Sequence, residues 1–272
     1  MSCLRQTIFL IVTLLLLSGC AAVINESSPE LLTGTAQNPV EIRGALQQDL
    51  RLAGVIRLTG DLFIPGGRSL FVEPGSQILV VGNDSTKIDP EYLDKGTEIL
   101  VKGRLTLAGQ QDARITLSLD DSTPAGENWT GIELVAAESA ILNYVDILGA
   151  EIGILSLDSS LQLGQVNILG SRYGLLLQGG GALAYHGGRI SGGDAGLLCF
   201  DRTALDLGQL KILDNQEEGL YLANKCTLKH HAVTIERNDL GVVASEGYRE
   251  SLHLSLRDNR INFKPLADEI LQ

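Results

Sequence analysis

Aromatic side chains make up only 4% of this chain, and it holds one Met and one Trp. A core built from it must rely on Leu, Ile, Val and Ala, and a surface that stacks sugar rings would have few rings to use. Basic side chains are also scarce: 21 Lys and Arg stand against 33 Asp and Glu, a formal charge of −12, with no basic block. That balance leaves no footprint for a phosphate backbone, so nucleic acid is not an expected partner. There is no CxxC pair, no Ser/His/Asp arrangement and no phosphate loop; Gly179-Gly180-Gly181 lacks a strand-then-helix context and reads as a turn. Neither a cofactor nor a metal is expected. What the chain has instead is 44% hydrophobic residues, ample for a core, and 31 glycines, enough for many tight turns.

No apolar run is long enough to span a bilayer. Ile8 to Leu17, broken only by Thr13, follows Arg5 and fits the h-region of a secretory signal. It ends in Leu17-Ser18-Gly19-Cys20, which resembles the bacterial lipobox. That resemblance implies cleavage before Cys20, a diacylglyceryl group on its sulfur and an acyl chain, such as palmitate, on its new amine. Two or three chains on one residue anchor stably where one is marginal. Ala21 and Ala22 lack the Asp that resembles an inner-membrane retention signal, so the expected site is the bacterial cell envelope, at the outer rather than the inner membrane. Residues 1–19 are then signal, and 20–39 are the lipidated Cys with a flexible tether. Cys3 leaves with the signal, so Cys199 and Cys226 are the folded part's cysteines. They stand several residues out of phase, and a disulfide between them is not expected.

The body of the chain repeats. Gly followed by an aliphatic residue recurs at Gly131, Gly153, Gly174, Gly196, Gly219 and Gly241, in steps of 22, 21, 22, 23 and 22. Two apolar-x-apolar signals keep time with it, one around Ile147, Ile168, Ile190, Ile212, Ile235 and Leu256, the other around Ala140, Leu161, Leu183, Leu205, Leu228 and Leu252. Three short period-two segments per unit predict three strands per unit, and a fixed period this short predicts a stacked array. Helix pairs need about 30 or more residues per unit and would be broken by Gly149, Gly170, Gly187, Gly188, Gly192 and Gly193. The sequence thus resembles the right-handed parallel β-helix family, the pectate-lyase-like solenoids, from roughly Leu50 to Phe263. The expected fold is all-β, one coil of three short strands per roughly 22 residues, stacked about 4.8 Å apart. Residues 40–128 read as an N-terminal cap and irregular first coils, with loops projecting at Asp84 to Lys95 and Asp120 to Asn128. Regular coils occupy 129–262, and 263–272 read as a cap.

Columns of this array carry the candidate sites. Asn215, Asn238 and Asn259 recur three residues past the Ile ladder and predict a structural asparagine ladder. Asp146, Arg189 and Lys211 share an outward column with Asn167 and Thr234; as a site they would suit an acidic sugar, with Arg189 or Lys211 as base. Lyases of the resembling family use an acidic calcium cluster, and no second carboxylate stands beside Asp146 in that column. Asp120-Asp121 and His186-Gly187-Gly188 are broken echoes of polygalacturonase motifs. His186 and His231 share a corner column two rungs apart, roughly 10 Å, which is too far for one metal, and His230 is expected to point inward beside them. The column two past each repeat Gly should face outward, yet it reads Glu133, Leu155, Leu176, Leu198, Tyr221, Val243. The run Leu155, Leu176, Leu198, Tyr221 and Val243 predicts an apolar stripe, covered by the tail around Leu266 and Ile270 or by a protein partner, a second copy, or a glycan or lipid surface. A non-catalytic binding or scaffold module is therefore the expected function, with a polysaccharide lyase or hydrolase as the alternative.

Overall fold

The computed structural model describes residues 29–82, 96–125, 127–223, 225–249 and 254–266. The signal, Cys20, the loop Asp84 to Lys95, Leu252 and Ile270 lie outside the described residues. Within them the chain winds into a right-handed parallel β-helix of about ten turns with about 22 residues per turn. All of the named strand pairs are parallel, and among the described residues the one helical element is the 3-10 turn Glu246–Tyr248.

Three sheets run along the stack. The glycine sheet contains Trp129–Val135, Ala150–Leu157, Tyr173–Gln178, Ala195–Cys199, Glu218–Leu222, Leu240–Ala244 and Ile261–Pro265. A second, the groove sheet, holds Ser69–Val72, Arg104–Ala108, Ser139–Asn143, Ala204–Gly208 and Thr227–His231. The third, the charged sheet, holds Ile115–Leu119, Val145–Leu148, Lys211–Leu213, Thr234–Glu236 and Ser255–Arg257. Leu161–Leu169 and Ala182–Ser191 bend through a corner and serve the groove and charged sheets in succession.

The two strongest periodic signals in the sequence are halves of one contact. Ile147, Ile168, Ile190, Ile212, Ile235 and Leu256 pair in register as a ladder, all but the last fully buried. The repeat glycines lie against it. A Cβ on Gly153 would sit 2.5 Å from Ile168 Cγ2, one on Gly174 2.3 Å from Ile190 Cγ2, and one on Gly196 2.5 Å from Ile212 Cγ2. The period exists because each turn's glycine makes room for the next turn's isoleucine, so the turns interlock as well as stack.

From Leu148 onward, each corner between the charged and glycine sheets is turned by one left-handed residue. Gly149, Gly170 and Gly192 take it without a Cβ penalty, but in later turns Asp214, Arg237 and Asp258 adopt it, with φ of 58°, 53° and 52°. That conformation costs a non-glycine residue roughly 1–2 kcal/mol. In those turns the next residue is Asn215, Asn238 or Asn259, and their amides form a ladder. Asn215 Nδ2 donates to Asn238 Oδ1 at 2.8 Å and Asn238 Nδ2 donates to Asn259 Oδ1 at 3.0 Å. The same oxygens accept the backbone N–H of Asn215 and of Asn238. Hydrogen bonding thus offsets strain where glycine is absent.

Two boundaries shift. Leu31–Gly34 is already a strand, parallel to Arg51 through Gly54, within the stretch expected to be tether. Ile261–Pro265 pairs with the preceding turn, so the stack runs past residue 262 into the segment expected to cap it. Both strands are mostly exposed, because an end turn has a neighbour on one side only and less to bury, so the inward pattern fades in the sequence there.

Candidate functional site

On the charged sheet, Asp146, Asn167, Arg189 and Lys211 stand on consecutive rungs in register. Arg189 and Lys211 are exposed. Asp146 is held by Arg114, a residue outside the repeating columns. Arg114 Nε and Nη2 donate to the two carboxylate oxygens at 2.8 and 2.7 Å, and Nη2 also donates to the carbonyls of Val145 and Gln165. Asn167 Nδ2 adds a third bond to Asp146 at 2.7 Å. Partial burial works against ionisation here, but the bonds from Arg114 and Asn167 and the charges of Arg114 and Arg189 outweigh it, and the carboxyl stays below its ordinary range. A fork-on-fork pair of this kind is a fixed, ionised strut rather than a proton carrier. Arg114 sits in the corner before its strand, outside the repeating columns, so no periodic signal marked it.

Asp120 behaves similarly. Burial is the largest influence and raises its pKa, yet bonds from Ser122 and Arg57 lower it overall. Arg57 Nε donates to Asp120 Oδ2 at 2.9 Å and its Nη2 reaches Ser122 Oγ at 2.8 Å, which ties this projecting turn to the sheet. Glu41 Oε1 lies 3.6 Å from Arg57 Nη1, so the arginine stands between the two carboxylates and holds Asp120 as a fixed, ionised partner.

The groove sheet carries a feature the sequence did not mark. Its outward column between Phe71 and Asp206 reads Thr106, Ile141, Gln162 and Ala184, and two adjoining hollows of about 400 and 310 Å3 meet at Ser139. Arg51, Phe71, Arg104 and Thr106 border the first, with the Arg51 guanidinium 5.7 Å from the Phe71 ring centre; Ile141, Gln162 and Ala184 line the second. These lining residues mix charged, polar and apolar side chains with no shared pattern, and only stacking brings them together as a trough.

The apolar column on the glycine sheet is in register through Leu155, Leu176, Leu198, Tyr221 and Val243. It is not the open stripe that alternation implied. Leu198 and Val243 are only 6% and 5% exposed, while Leu155, Leu176 and Tyr221 are half-buried. Each side chain is flanked one strand away by its neighbours, and the Phe200 ring packs on Tyr221 at 5.1 Å between ring centres. Phe200 itself is 43% exposed.

Cys199 and Cys226 form a disulfide, with Cα atoms 6.3 Å apart. The expectation of unpaired thiols is therefore corrected. Cys199 points inward opposite Leu222 on the next turn, and the tight turn from Ala223 to Cys226 folds Cys226 back beneath it. Counting phase along strands missed this because the corner reverses the chain's direction.

The histidines need a second correction. Main-chain spacing separates His186 from His231 by two rungs, with Gly208 between them, yet their ring centres are 5.8 Å apart in an edge-to-face arrangement. Gly208 has no side chain to keep them apart. Among the described residues, no three His, Cys, Asp or Glu side chains group tightly enough to cage a metal. No family model, curated protein or solved structure matches this chain.

Proposed function

We propose that this chain is a lipid-anchored lipoprotein of the bacterial cell envelope whose β-helix serves as a non-catalytic binding or scaffold module for another envelope protein. The observation that carries the reading is the in-register apolar column from Leu155 to Val243, which leads at its edge to exposed Phe200. Apolar side chains in register across five turns, with an open phenylalanine beside them, suit a partner that covers their half-buried members. The lipobox-like Leu17-Ser18-Gly19-Cys20 supports an anchor at Cys20, at the outer rather than the inner membrane. The Cys199–Cys226 disulfide fits an oxidising compartment, where such bonds form and persist.

A polysaccharide lyase or hydrolase is the second reading, favoured by adjacent, exposed Arg189 and Lys211. Asp146 is engaged by Arg114, and among the described residues the acid that lines the hollows of the groove sheet, Glu138, is paired with Arg104. The test is site-specific crosslinking from Leu176 and Phe200 in intact cells, alongside the full chain carrying Leu176→Glu and Phe200→Glu. A discrete adduct with one envelope protein, lost in the double variant while far-UV circular dichroism stays unchanged, is the expected result. Absence of any adduct, together with glycan cleavage abolished by Arg189→Ala or Lys211→Ala, would replace this reading with the enzymatic one.

A further inference from the structure

The chain has four histidines, and two of them meet across a glycine. His186 lies in Ala182–Ser191 and His231 ends Thr227–His231, with Gly208 in register between them. Two rungs of parallel sheet separate main chains by about 10 Å. The ring centres are only 5.8 Å apart, and the planes cross at 81°. The gap closes because the His231 ring lies over Gly208. A Cβ there would come 2.3 Å from its Cε1 and 2.8 Å from its Nε2.

That separation has a chemical meaning. An imidazole nitrogen binds a divalent transition metal at about 2.0–2.1 Å. Adding the depth of half a ring on each side, two imidazoles on one ion have centres about 5–6 Å apart. The observed pair falls inside that range. A carboxylate is also at hand, with Asp206 Oδ1 3.4 Å from His186 Nε2. Lys229 stands opposite Asp206 on the next rung, a cation that a metal must tolerate there.

We propose that His186 and His231 form an open binding site for one divalent transition metal of the zinc, nickel and copper class, assisted by Asp206. Imidazole nitrogen selects these ions over calcium and magnesium, which prefer oxygen. The two rings supply protein ligands, and Asp206 supplies negative charge beside them. Both His186 and Asp206 are about half exposed, so water completes the shell. The ion joins turns on either side of the one that carries Gly208, a cross-link between elements that the backbone ladder connects only through an intermediate strand.

The test uses the full chain, purified without a polyhistidine tag, stripped with chelator and titrated with Cu2+, Ni2+ or Zn2+. Cys3, Cys20 and the terminal amine also attract such ions. The signal is therefore the difference between the wild-type chain and a His186→Ala plus His231→Ala double variant. One equivalent of metal is expected in that difference, with a two-imidazole signature in the pulsed electron paramagnetic resonance of the Cu2+ form. Each single histidine variant should weaken binding by at least about tenfold. Gly208→Ala keeps both rings but pushes His231 aside, and should weaken it comparably. A Cu2+ spectrum with one imidazole, or equal stoichiometry in the double variant, would overturn the site. Unchanged affinity in Gly208→Ala, with the fold intact by circular dichroism, would overturn the geometry; if that variant misfolds, the exposed single variants decide.

Discussion

Removing the amide of Asn238 should unzip the solenoid from one end. Its Oδ1 accepts from the Asn215 backbone N–H at 3.0 Å and from Asn215 Nδ2 at 2.8 Å, and its own Nδ2 donates to the carbonyls of Ile212 and Glu236 and to Asn259 Oδ1. Asn215 and Asn238 are both buried, so Asn238→Ala leaves two donors of Asn215 without an acceptor and out of reach of water. Each orphaned buried donor costs about 1–3 kcal/mol, which puts the middle of the range near 4 kcal/mol. For a body of this size that corresponds to a fall in Tm of about 8–16 °C. In a stacked array each turn contacts only its neighbours, so the loss falls first on the C-terminal turns. The only Trp, Trp129, is fully buried several turns away and reports the other half. Urea unfolding of Asn238→Ala should lose part of its circular dichroism early, while Trp fluorescence keeps a midpoint near that of the wild-type chain. Asn259→Ala should cost less, because Asn259 is only half-buried and water can replace it. A loss below about 1 kcal/mol in Asn238→Ala, or an equal loss in both variants, would refute the view that the ladder stabilises these corners.

Gly196→Ala should destabilise by about 1–3 kcal/mol through overpacking. Its Cβ would stand 2.4 Å from the Gly219 carbonyl oxygen, and backbone cannot swing away; paired with Ile212→Val, which removes Cδ1 but leaves the opposing Cγ2 in place, it should recover little in chemical denaturation. Acid stability should depend on Arg114. The Asp146 carboxyl is depressed in the folded state, so its contribution is present in full above the ordinary carboxylate range near pH 4 and disappears as pH falls through the lower folded value. Asp146→Asn should flatten that part of the stability–pH curve, and Arg114→Ala should move the acid-induced loss to higher pH. A curve in Arg114→Ala that superimposes on the wild-type curve would refute the role of the pair.

How much of this was legible beforehand depended on whether the information lay along the chain or across it. Strand pleating has a period of two and each turn a length near 22 residues, so side chains that face the core must recur at those intervals. Ile147 through Leu256, the repeat glycines and Asn215, Asn238 and Asn259 could therefore be placed without a structure. Residues outside the period could not. Arg114 pairs with Asp146 from a corner 32 positions away, and nothing in its neighbours distinguishes it from any exposed arginine. Burial of Leu198 depends on what flanks and covers a column, which alternation alone does not specify.

The sequence by itself determined the all-β solenoid, its register and the inward ladders, because those follow from short-range periodicity and the need of each turn to bury one face. Tertiary structure alone decided which cysteines and which histidines meet at the corners. Cys226 reaches Cys199 because a tight turn folds it beneath the preceding strand, and His231 reaches His186 because Gly208 leaves the space between them empty. Rung spacing fixes where Cα atoms stand, but side-chain lean and corner reversal move reactive atoms by several ångströms. That distance separates two isolated groups from a bond or a binding site.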